Sequence, residues 1–263
     1  MKVEFYQTVD DELLKFAVIV ASYQDKYVLC KHKQRDTLEI PGGHREENED
    51  ILVTAKRELV EETGALDFEI EPVCVYSVAG KNRVNQTDDK MYGLLCFAKI
   101  NQLDDKIDSE MEKIYLVDKL PNNLTYPLIQ PHLFEKAINY PKEKKIQEWF
   151  NSWFDCKWNN FENIFAENIY YSESYGPEYH GLLEIKEWFK TWHHNFHLNN
   201  WEIKSFIHSQ DITIVEWYFS CSSKTSKSAF DGVSLIKWNE KNKIIELKEF
   251  ASTLPKYDPI KAR

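Results

Sequence analysis

The chain has 263 residues, of which 43% are hydrophobic and 29% are charged, values that are ordinary for a globular protein. This length predicts one or two domains and a sizeable core. The formal net charge of -10 argues against a general binder of nucleic acid or membrane surfaces, although a nucleotide could still bind through a cation. The five cysteines are scattered and form no CxxC pair, which is typical of reduced thiols in a cytosolic protein.

The N-terminal segment shows no targeting pattern, because it carries early acidic residues and lacks the apolar stretch of a signal peptide. No apolar run in the sequence is long enough to span a bilayer. We therefore expect a cytoplasmic protein without a membrane partner and without a nucleic-acid partner.

The first half of the chain predicts strands arranged around one helix. Asp50 is a good N-cap for a helix that ends at Thr63, and Gly64 follows in the position that favours glycine. Apolar and alternating runs predict the strands. The expected strands are 15–23, 26–33, 37–40, 68–78, 90–100 and 114–117, and a second helix is expected at 131–138.

The composition changes midway, because all eight tryptophans lie between Trp149 and Trp238. A proline-rich stretch followed by lysines is typical of a connection, so we place a boundary at 139–142 and predict domains 1–140 and 141–263. Helices followed by a long antiparallel meander predict an α+β domain for the second half. Its expected helices are 144–157, 161–165 and 181–194, and its expected strands are 169–174, 199–208, 212–220, 229–238 and 244–251.

Three carboxylates are crowded into one helical turn near the end of the first predicted helix. Glu58, Glu61 and Glu62 share one face, since residues three and four apart are neighbours on a helix. Like charges at this spacing repel, whereas a hard divalent cation would turn them into a binding site. Arg57 could hold one of the carboxylates by a charge-assisted hydrogen bond.

The stretch from Gly42 to Ala65 resembles the Nudix box. Gly43 is followed by five residues, Glu49, seven residues and then the string RELVEETGA, so every fixed position of that motif is filled. The resemblance implies an α/β/α sandwich with a mixed sheet. It also implies hydrolysis of a phosphoanhydride with Mg²⁺ or Mn²⁺.

The same resemblance implies roles for individual residues. Glu58, Glu61, Glu62 and the carbonyl of Gly42 would bind the metal, and Glu58 or Glu61 would be the catalytic base. Arg57 would be a catalytic residue that, together with Glu49, orients the others.

Several nearby residues have two interpretations. Glu110 or Glu112 could supply a further acidic ligand or be a solvated loop acid. His44 is expected to be a surface residue of the turn. The segment 31–33 and Arg35 could meet phosphates or form a solvated strand edge.

The second half resembles the SnoaL-like group of the nuclear-transport-factor-2-like superfamily, in an early helix pair, the SESYGPEYHG segment and the late FDGVSLIKWNEKNKIIELKEF hairpin. This resemblance implies a cone formed by a curved antiparallel sheet. The cone could be an enzyme using Asp231 with His180, His193 or His194, a pocket that binds a ligand, or a dimerisation surface. We favour ligand binding or a homodimer over a second catalytic site.

The flanking stretch HKQRDTLEIPGG resembles the MutT-like branch of the Nudix family, so the two resemblances together imply a MutT-like Nudix hydrolase fused to a SnoaL-like domain. The expected reaction converts a nucleoside triphosphate, for instance an oxidised one of the 8-oxo-dGTP type, to a monophosphate and pyrophosphate. The alternative is a sensor whose first domain binds a nucleotide without cleaving it.

Overall fold

A computed structural model describes residues 1–80, 89–104, 110–158 and 160–260. The chain forms two compact units, Met1–Tyr140 and Pro141–Arg263. Each unit has its own sheet and its own core.

The first unit is built on an eight-stranded sheet with the order β1-β6-β7-β2-β3-β4, in which β5 pairs with β2 and β8 with β3. β2 and β7 run parallel and the other pairs are antiparallel, so the sheet is mixed, as predicted. Its strands are β1 (Lys2–Tyr6), β2 (Leu14–Tyr23), β3 (Lys26–His32), β4 (Leu38–Glu39), β5 (Gly42–His44), β6 (Ala65–Ala79), β7 (Met91–Leu103) and β8 (Met111–Val117), and a short 3-10 turn spans Asp11–Leu13.

A helix packs on each face of this sheet. On one face, α1 (Ile51–Thr63) buries Leu59 in a core that also contains Ile19. On the other face, α2 (Gln130–Asp155) buries Phe134 beside Val20. Because successive side chains of a strand point to opposite faces, Ile19 and Val20 belong to different cores, and the sheet lies between two helical layers.

Both ends of α1 are capped as the sequence predicts. The Asp50 side chain accepts a hydrogen bond from the backbone N–H of Leu52 at 2.8 Å. Gly64 has a φ of 73°, and its N–H donates to the carbonyl of Val60 at 2.9 Å. Glycine adopts this left-handed conformation without a steric penalty, so the helix ends here and the chain turns into β6.

The chain divides into its two units within the predicted boundary 139–142. That stretch is not a connection as expected, because α2 passes through it. We expected two helices, 131–138 and 144–157, but the structure has one helix with Pro141 inside it. Proline removes the hydrogen bond to the carbonyl of Ala137 and crowds that carbonyl. Apolar side chains of α2 on both sides of Pro141 are buried, Ala137 in one unit and Ile146 in the other, and this burial favours a helix in both parts.

The second unit combines a six-stranded sheet with helices. The strand order is β10-β9-β14-β13-β12-β11, antiparallel except for the parallel pair β14 and β9. Its core contains Trp149, Trp153 and Trp217, each at most 2% exposed. The elements are α3 (Phe161–Ile164), β9 (Phe165–Ser172), β10 (Glu178–His180), α4 (Leu182–Asn195), β11 (His197–Ser209), β12 (Ile212–Ser222), β13 (Lys227–Trp238) and β14 (Ile244–Ser252).

The predicted fold classes are confirmed: an α/β/α sandwich with a mixed sheet and an α+β cone with a curved, mainly antiparallel sheet. The short strands β1, β5 and β10 were not predicted from the sequence, and β6 starts at Ala65, earlier than the predicted residue 68. None of the helices in the described ranges is long and apolar enough to cross a membrane.

Candidate active site

The glycine turn lies against the centre of the first sheet. Gly42 and Gly43 pair with Val18 and Ala17 of β2. A Cβ on Gly42 would collide with the carbonyl oxygen of Ala17, and a Cβ on Gly43 would collide with the Glu58 carboxylate. Glycine is therefore required at position 42, where the obstacle is the backbone of β2, and glycine at position 43 leaves room for the Glu58 carboxylate of α1.

Arg57 joins three carboxylates at the edge of α1. Its Nε donates to Glu49 at 2.9 Å, and its Nη1 donates to Glu58 at 2.7 Å and to Glu61 at 3.2 Å. Its Nη2 reaches the carbonyl of His44 at 3.0 Å, which ties α1 to the glycine turn. The hydrogen bonds from Arg57 and Thr54 lower the pKa of Glu49 to about 2, so this anchor is ionised at neutral pH.

Glu62 has no basic partner among the described residues, and Glu58 shares the Arg57 guanidinium with Glu49 and Glu61. Glu62 is 6% exposed and accepts a hydrogen bond from the N–H of Gly42 at 2.8 Å. Burial, together with the charges of Glu58, Glu39 and Glu110, raises its pKa to about 9. Burial also raises the pKa of Glu58, although Arg57 opposes the shift. Both carboxylates are therefore destabilised in their charged form, which is the condition that a cation relieves.

These groups line a cavity of about 330 Å³ in the first unit. The predicted site residues Gly42, Glu58 and Glu62 belong to its wall, but Glu61 does not. The Glu61 side chain is 51% exposed and faces Arg57. Within residues 1–80, 89–104, 110–158 and 160–260, no three His, Cys, Asp or Glu side chains come close enough to hold one metal ion.

The structure distinguishes between the two interpretations that the sequence left open for Glu110, Glu112, Lys31 and Arg35. Glu110 lines the cavity and raises the pKa of Glu58 and Glu62, whereas Glu112 forms an ion pair with Lys31 at 2.6 Å. The Lys31 amine is therefore engaged by an acid, which favours the strand-edge interpretation. Arg35 lines the cavity but is paired with Glu39 at 2.8 Å.

His44 also belongs to the cavity wall, although its side chain is exposed. Its ring lies edge-on to Phe16, with 6.1 Å between the ring centroids. The expectation that His44 is a surface residue of the turn is thus correct, but it did not include the place of His44 in the cavity wall.

Sequence reasoning missed two polar residues of the cavity. Glu39 is 6% exposed, and burial raises its pKa. The sequence signal that could have identified Glu39 is the position of an acid between Leu38 and Ile40 in an apolar strand. Gln130 is 4% exposed, and its Oε1 has no hydrogen-bond partner in the described part of the chain. Nothing in the local sequence marks Gln130, because its burial depends on how α2 packs.

A divalent cation is the group that the motif implies, and the residues present fit it by their chemistry, although their side chains in the described ranges are not assembled around one point. Glu58, Glu62 and Glu110 are oxygen donors of one charge sign in one cavity wall, and hard cations take such ligands. The missing side chain of Gly43 leaves room for the Glu58 carboxylate in that wall. Arg57 Nη1 donates to both Glu58 and Glu61, so the guanidinium lies between these two carboxylates.

The acid–base pair considered for the second unit is wrong. Asp231 lies on the face of β13 opposite to the inward-facing Phe230 and Gly232, and it forms an ion pair with Lys204 at 2.7 Å. Both ring nitrogens of His193 contact backbone carbonyls, those of Phe189 and Trp153. The two-residue period of the strand turns Asp231 away from the interior.

Comparison with known families assigns both halves of the chain. The NUDIX domain model matches residues 13–163, which is more than half of the sequence. The chain belongs to the Nudix family. The model of the SnoaL-like domain matches residues 146–247, so this Nudix protein also carries a SnoaL-like domain. A comparison with curated proteins finds no match.

Solved structures resemble each part of the Nudix protein separately. The Bacillus subtilis pyrophosphohydrolase BsRppH is 23% identical, covers 52% of this chain and 90% of its own, and has a TM-score of 0.43. A protein described as a SnoaL-like polyketide cyclase from Mesorhizobium loti is 17% identical, covers 41% of this chain and 97% of its own, and has a TM-score of 0.35.

Proposed function

We propose that the first unit hydrolyses a phosphoanhydride in a nucleoside diphosphate-linked substrate, with a nucleoside triphosphate as the first choice and its monophosphate and pyrophosphate as products. The observation that carries the proposal is the pair of carboxylates beside the Gly42–Gly43 turn in one cavity, the buried Glu62 and Glu58, whose side chain is 12% exposed. Membership of the Nudix family supports cleavage of a pyrophosphate linkage in general.

The residues proposed to hold Mg²⁺ or Mn²⁺ are Glu58, Glu61, Glu62 and the carbonyl of Gly42. When bound, such a cation neutralises charge on the phosphates and promotes attack by water. For Glu61 to take part, its carboxylate has to leave the position beside Arg57, which its 51% exposed side chain has the freedom to do.

Arg57 and Glu49 are proposed to position the reacting groups. Glu49 is fixed by Arg57, by Thr54 at 2.7 Å and by the N–H of Glu46 at 3.1 Å, so it is a firm anchor for the guanidinium. Arg57 in turn orients Glu58, which lines the cavity and is the stronger candidate for the base that takes the proton of the attacking water.

Gln130 is proposed to recognise the nucleobase. Its buried amide oxygen has no partner among the described residues, and leaving such an acceptor unpaired is costly. An N–H or exocyclic amino group of a base would satisfy it. Phe16 and Tyr126 line the same cavity and offer aromatic surface for a base.

The experiment is a hydrolysis panel with the full chain and Mg²⁺, Mn²⁺ or EDTA. The panel contains ordinary and oxidised nucleoside triphosphates, sugar nucleotides and dinucleotide polyphosphates, and separate assays detect phosphate and pyrophosphate. We expect metal-dependent release of pyrophosphate from one class of triphosphate. Release of phosphate alone, or turnover in EDTA, would contradict the proposed reaction.

A nucleotide sensor is the second candidate, and one observation favours it. Arg57 engages both Glu58 and Glu61, and no set of three ligands is assembled among the described residues. Such a protein would bind a nucleotide from the panel without hydrolysing it. Calorimetric titration of the nucleotides that are not hydrolysed distinguishes the two functions.

Homodimerisation through the second unit and a cytoplasmic location stay predictions. Light scattering of the full chain at several concentrations measures the oligomeric state, and fractionation of the native cell measures the location.

A further inference from the structure

The second unit contains a cavity of about 710 Å³ that none of the functions above uses. It lies between the helices and the inner face of the six-stranded sheet. Nearly half of its lining residues are aromatic, with side chains from α2, α4, β11, β12 and β13 among them. The aromatic residues that the argument uses are Trp153, Trp188, Trp192, Trp217, Phe219 and Phe230.

Two carboxylates lie side by side on the sheet wall of this cavity. Glu173 directly follows Ser172, the last residue of β9, which pairs with Lys248 of β14, so Glu173 lies next to Glu249, and both line the cavity. Glu173 is 7% exposed and accepts a hydrogen bond from the Tyr179 hydroxyl at 2.7 Å. The Tyr171 hydroxyl donates to Glu249. Among the described residues, the side-chain hydrogen bonds to both acids therefore come from phenol groups, which are neutral.

Neither of these acids has an ion-pair partner in the part of the chain that the structure describes. Glu246, an acid on the outer face of β14, does have ion-pair partners: it contacts Lys237 at 3.1 Å and Lys248 at 2.8 Å. Lys227 is the basic residue of the cavity wall, and it is exposed at the start of β13. The interior of the cavity thus combines two acids with no basic side chain beside them.

The lack of a countercharge is costly for both carboxylates. Burial raises the pKa of Glu173, and burial together with the charge of Glu173 raises the pKa of Glu249 to about 8. A positive group between them would stabilise their ionised forms. The aromatic rings add to this attraction, because the faces of tryptophan and phenylalanine carry partial negative charge and attract cations.

We propose that this cavity binds a small organic cation, an amine or a quaternary ammonium compound, with its positive centre against Glu173 and Glu249 and its apolar part against Trp188 and Trp192. A metal ion would leave the aromatic wall unused, and an anion would be repelled by the two acids. The volume is large enough for a molecule of metabolite size. This proposal is independent of the nucleotide chemistry of the first unit.

Tryptophan fluorescence measures this binding in the full chain, because all eight tryptophans lie between Trp149 and Trp238. The probes are choline and phenethylamine, and their uncharged counterparts dimethylbutanol and phenethyl alcohol have nearly the same shape. At constant ionic strength we expect saturable fluorescence changes with the two cations and affinities lower by roughly tenfold or more for the uncharged counterparts. Equal affinities within each pair, or no response to either cation, would overturn the proposal.

Two variants locate the binding site. Glu173→Gln and Glu249→Gln each keep a hydrogen-bond acceptor for the tyrosine and remove a carboxyl group that ionises against a bound cation, so cation affinity falls by roughly tenfold. Glu246→Gln is the matched control on the outer face of β14 and leaves the affinity unchanged. The unliganded emission spectrum shows whether each variant is folded. Unchanged choline affinity in both cavity variants would contradict the assigned site, whatever the wild-type protein binds.

Discussion

At the scale of single residues, the motif predicted which groups surround the glycine turn but not which hydrogen bonds and ion pairs each group forms. Glu58, Glu62 and Gly42 lie together in one cavity wall, as the motif implies. Glu61 lies outside that wall beside Arg57, because an exposed carboxylate one turn along the helix reaches the guanidinium more easily than the interior. A pattern of residue types does not specify which of several acids a single arginine contacts.

Arg57→Lys tests whether the positioning depends on the forked guanidinium. Lysine keeps the positive charge but cannot hold Glu49 and Glu58 with separate, fixed donors. We expect kcat to fall by roughly 10- to 100-fold with a smaller change in KM. Lys56→Arg, an exposed neighbour on the same helix, is the matched control and leaves both parameters unchanged. A normal kcat in Arg57→Lys would show that charge alone is sufficient.

Gln130→Leu tests nucleobase recognition. Leucine has a similar volume but no acceptor for an N–H group of the base, so we expect KM to rise by roughly tenfold with little change in kcat. His132→Leu, exposed in the first turn of the same helix, is the control. Steady-state kinetics with purine and pyrimidine nucleotides measure the effect. The same KM as wild type for every base would exclude Gln130 from the nucleotide contacts.

At the scale of helices and strands, the sequence predicted the long periodic elements and their order. The caps of α1 were correct because Asp50 and Gly64 act through local geometry. The prediction failed at α2, where local rules favour a break at Pro141 and burial of apolar side chains favours a helix. It also missed the short strands β1 and β10, which acquire their structure from the longer strands beside them.

Pro141→Ala tests the balance of forces in α2. Alanine restores the hydrogen bond to the carbonyl of Ala137. Part of this gain is offset, because the unfolded chain has more conformational entropy with alanine than with proline. We expect the free energy of unfolding to increase by about 1 to 2 kcal/mol. Chemical unfolding followed by circular dichroism measures it, with Glu135→Ala at an exposed position of the same helix as the control. A loss of stability would mean that the helix needs the proline conformation at this point.

At the scale of the whole molecule, composition alone separated the two units. The tryptophans are confined to the second unit, where Trp149, Trp153 and Trp217 form the centre of its core. The two cavities differ in the same way: carboxylates surround a glycine turn in the first, and aromatic rings surround two acids in the second. The sequence could not place Glu173 beside Glu249, because the parallel pairing of β9 with β14 joins distant parts of the chain.

The second unit is expected to lose stability as the pH rises from about 4.5 to about 8. The pKa of Glu249 is raised from 4.5 to about 8 in the folded state, so within this range the unfolded state releases a proton that the folded state retains. One such group changes the free energy of unfolding by at most about 1.4 kcal/mol per pH unit. Urea unfolding followed by tryptophan fluorescence measures the slope.

Glu249→Gln should weaken this pH dependence, because glutamine does not ionise and can still accept the hydrogen bond from Tyr171. Glu246→Gln removes an acid whose pKa is lowered by Lys248 and Lys237, and it serves as the comparison with the opposite sign. If the free energy of unfolding of Glu249→Gln changes with pH as steeply as that of the wild type, other groups cause the pH dependence.

The central claim is tested most directly by pyrophosphate release from the Glu58→Gln variant. The assay uses Mg²⁺ and the nucleotide of the panel that the wild type hydrolyses best, and it compares Glu58→Gln with the wild type and with Glu69→Gln. Glu69 is exposed on β6 and serves as the matched control. We expect Glu58→Gln to lose at least about 100-fold in kcat while it still binds the nucleotide, because it lacks the carboxylate that would accept a proton. Full activity in Glu58→Gln would place the chemistry elsewhere and contradict the account.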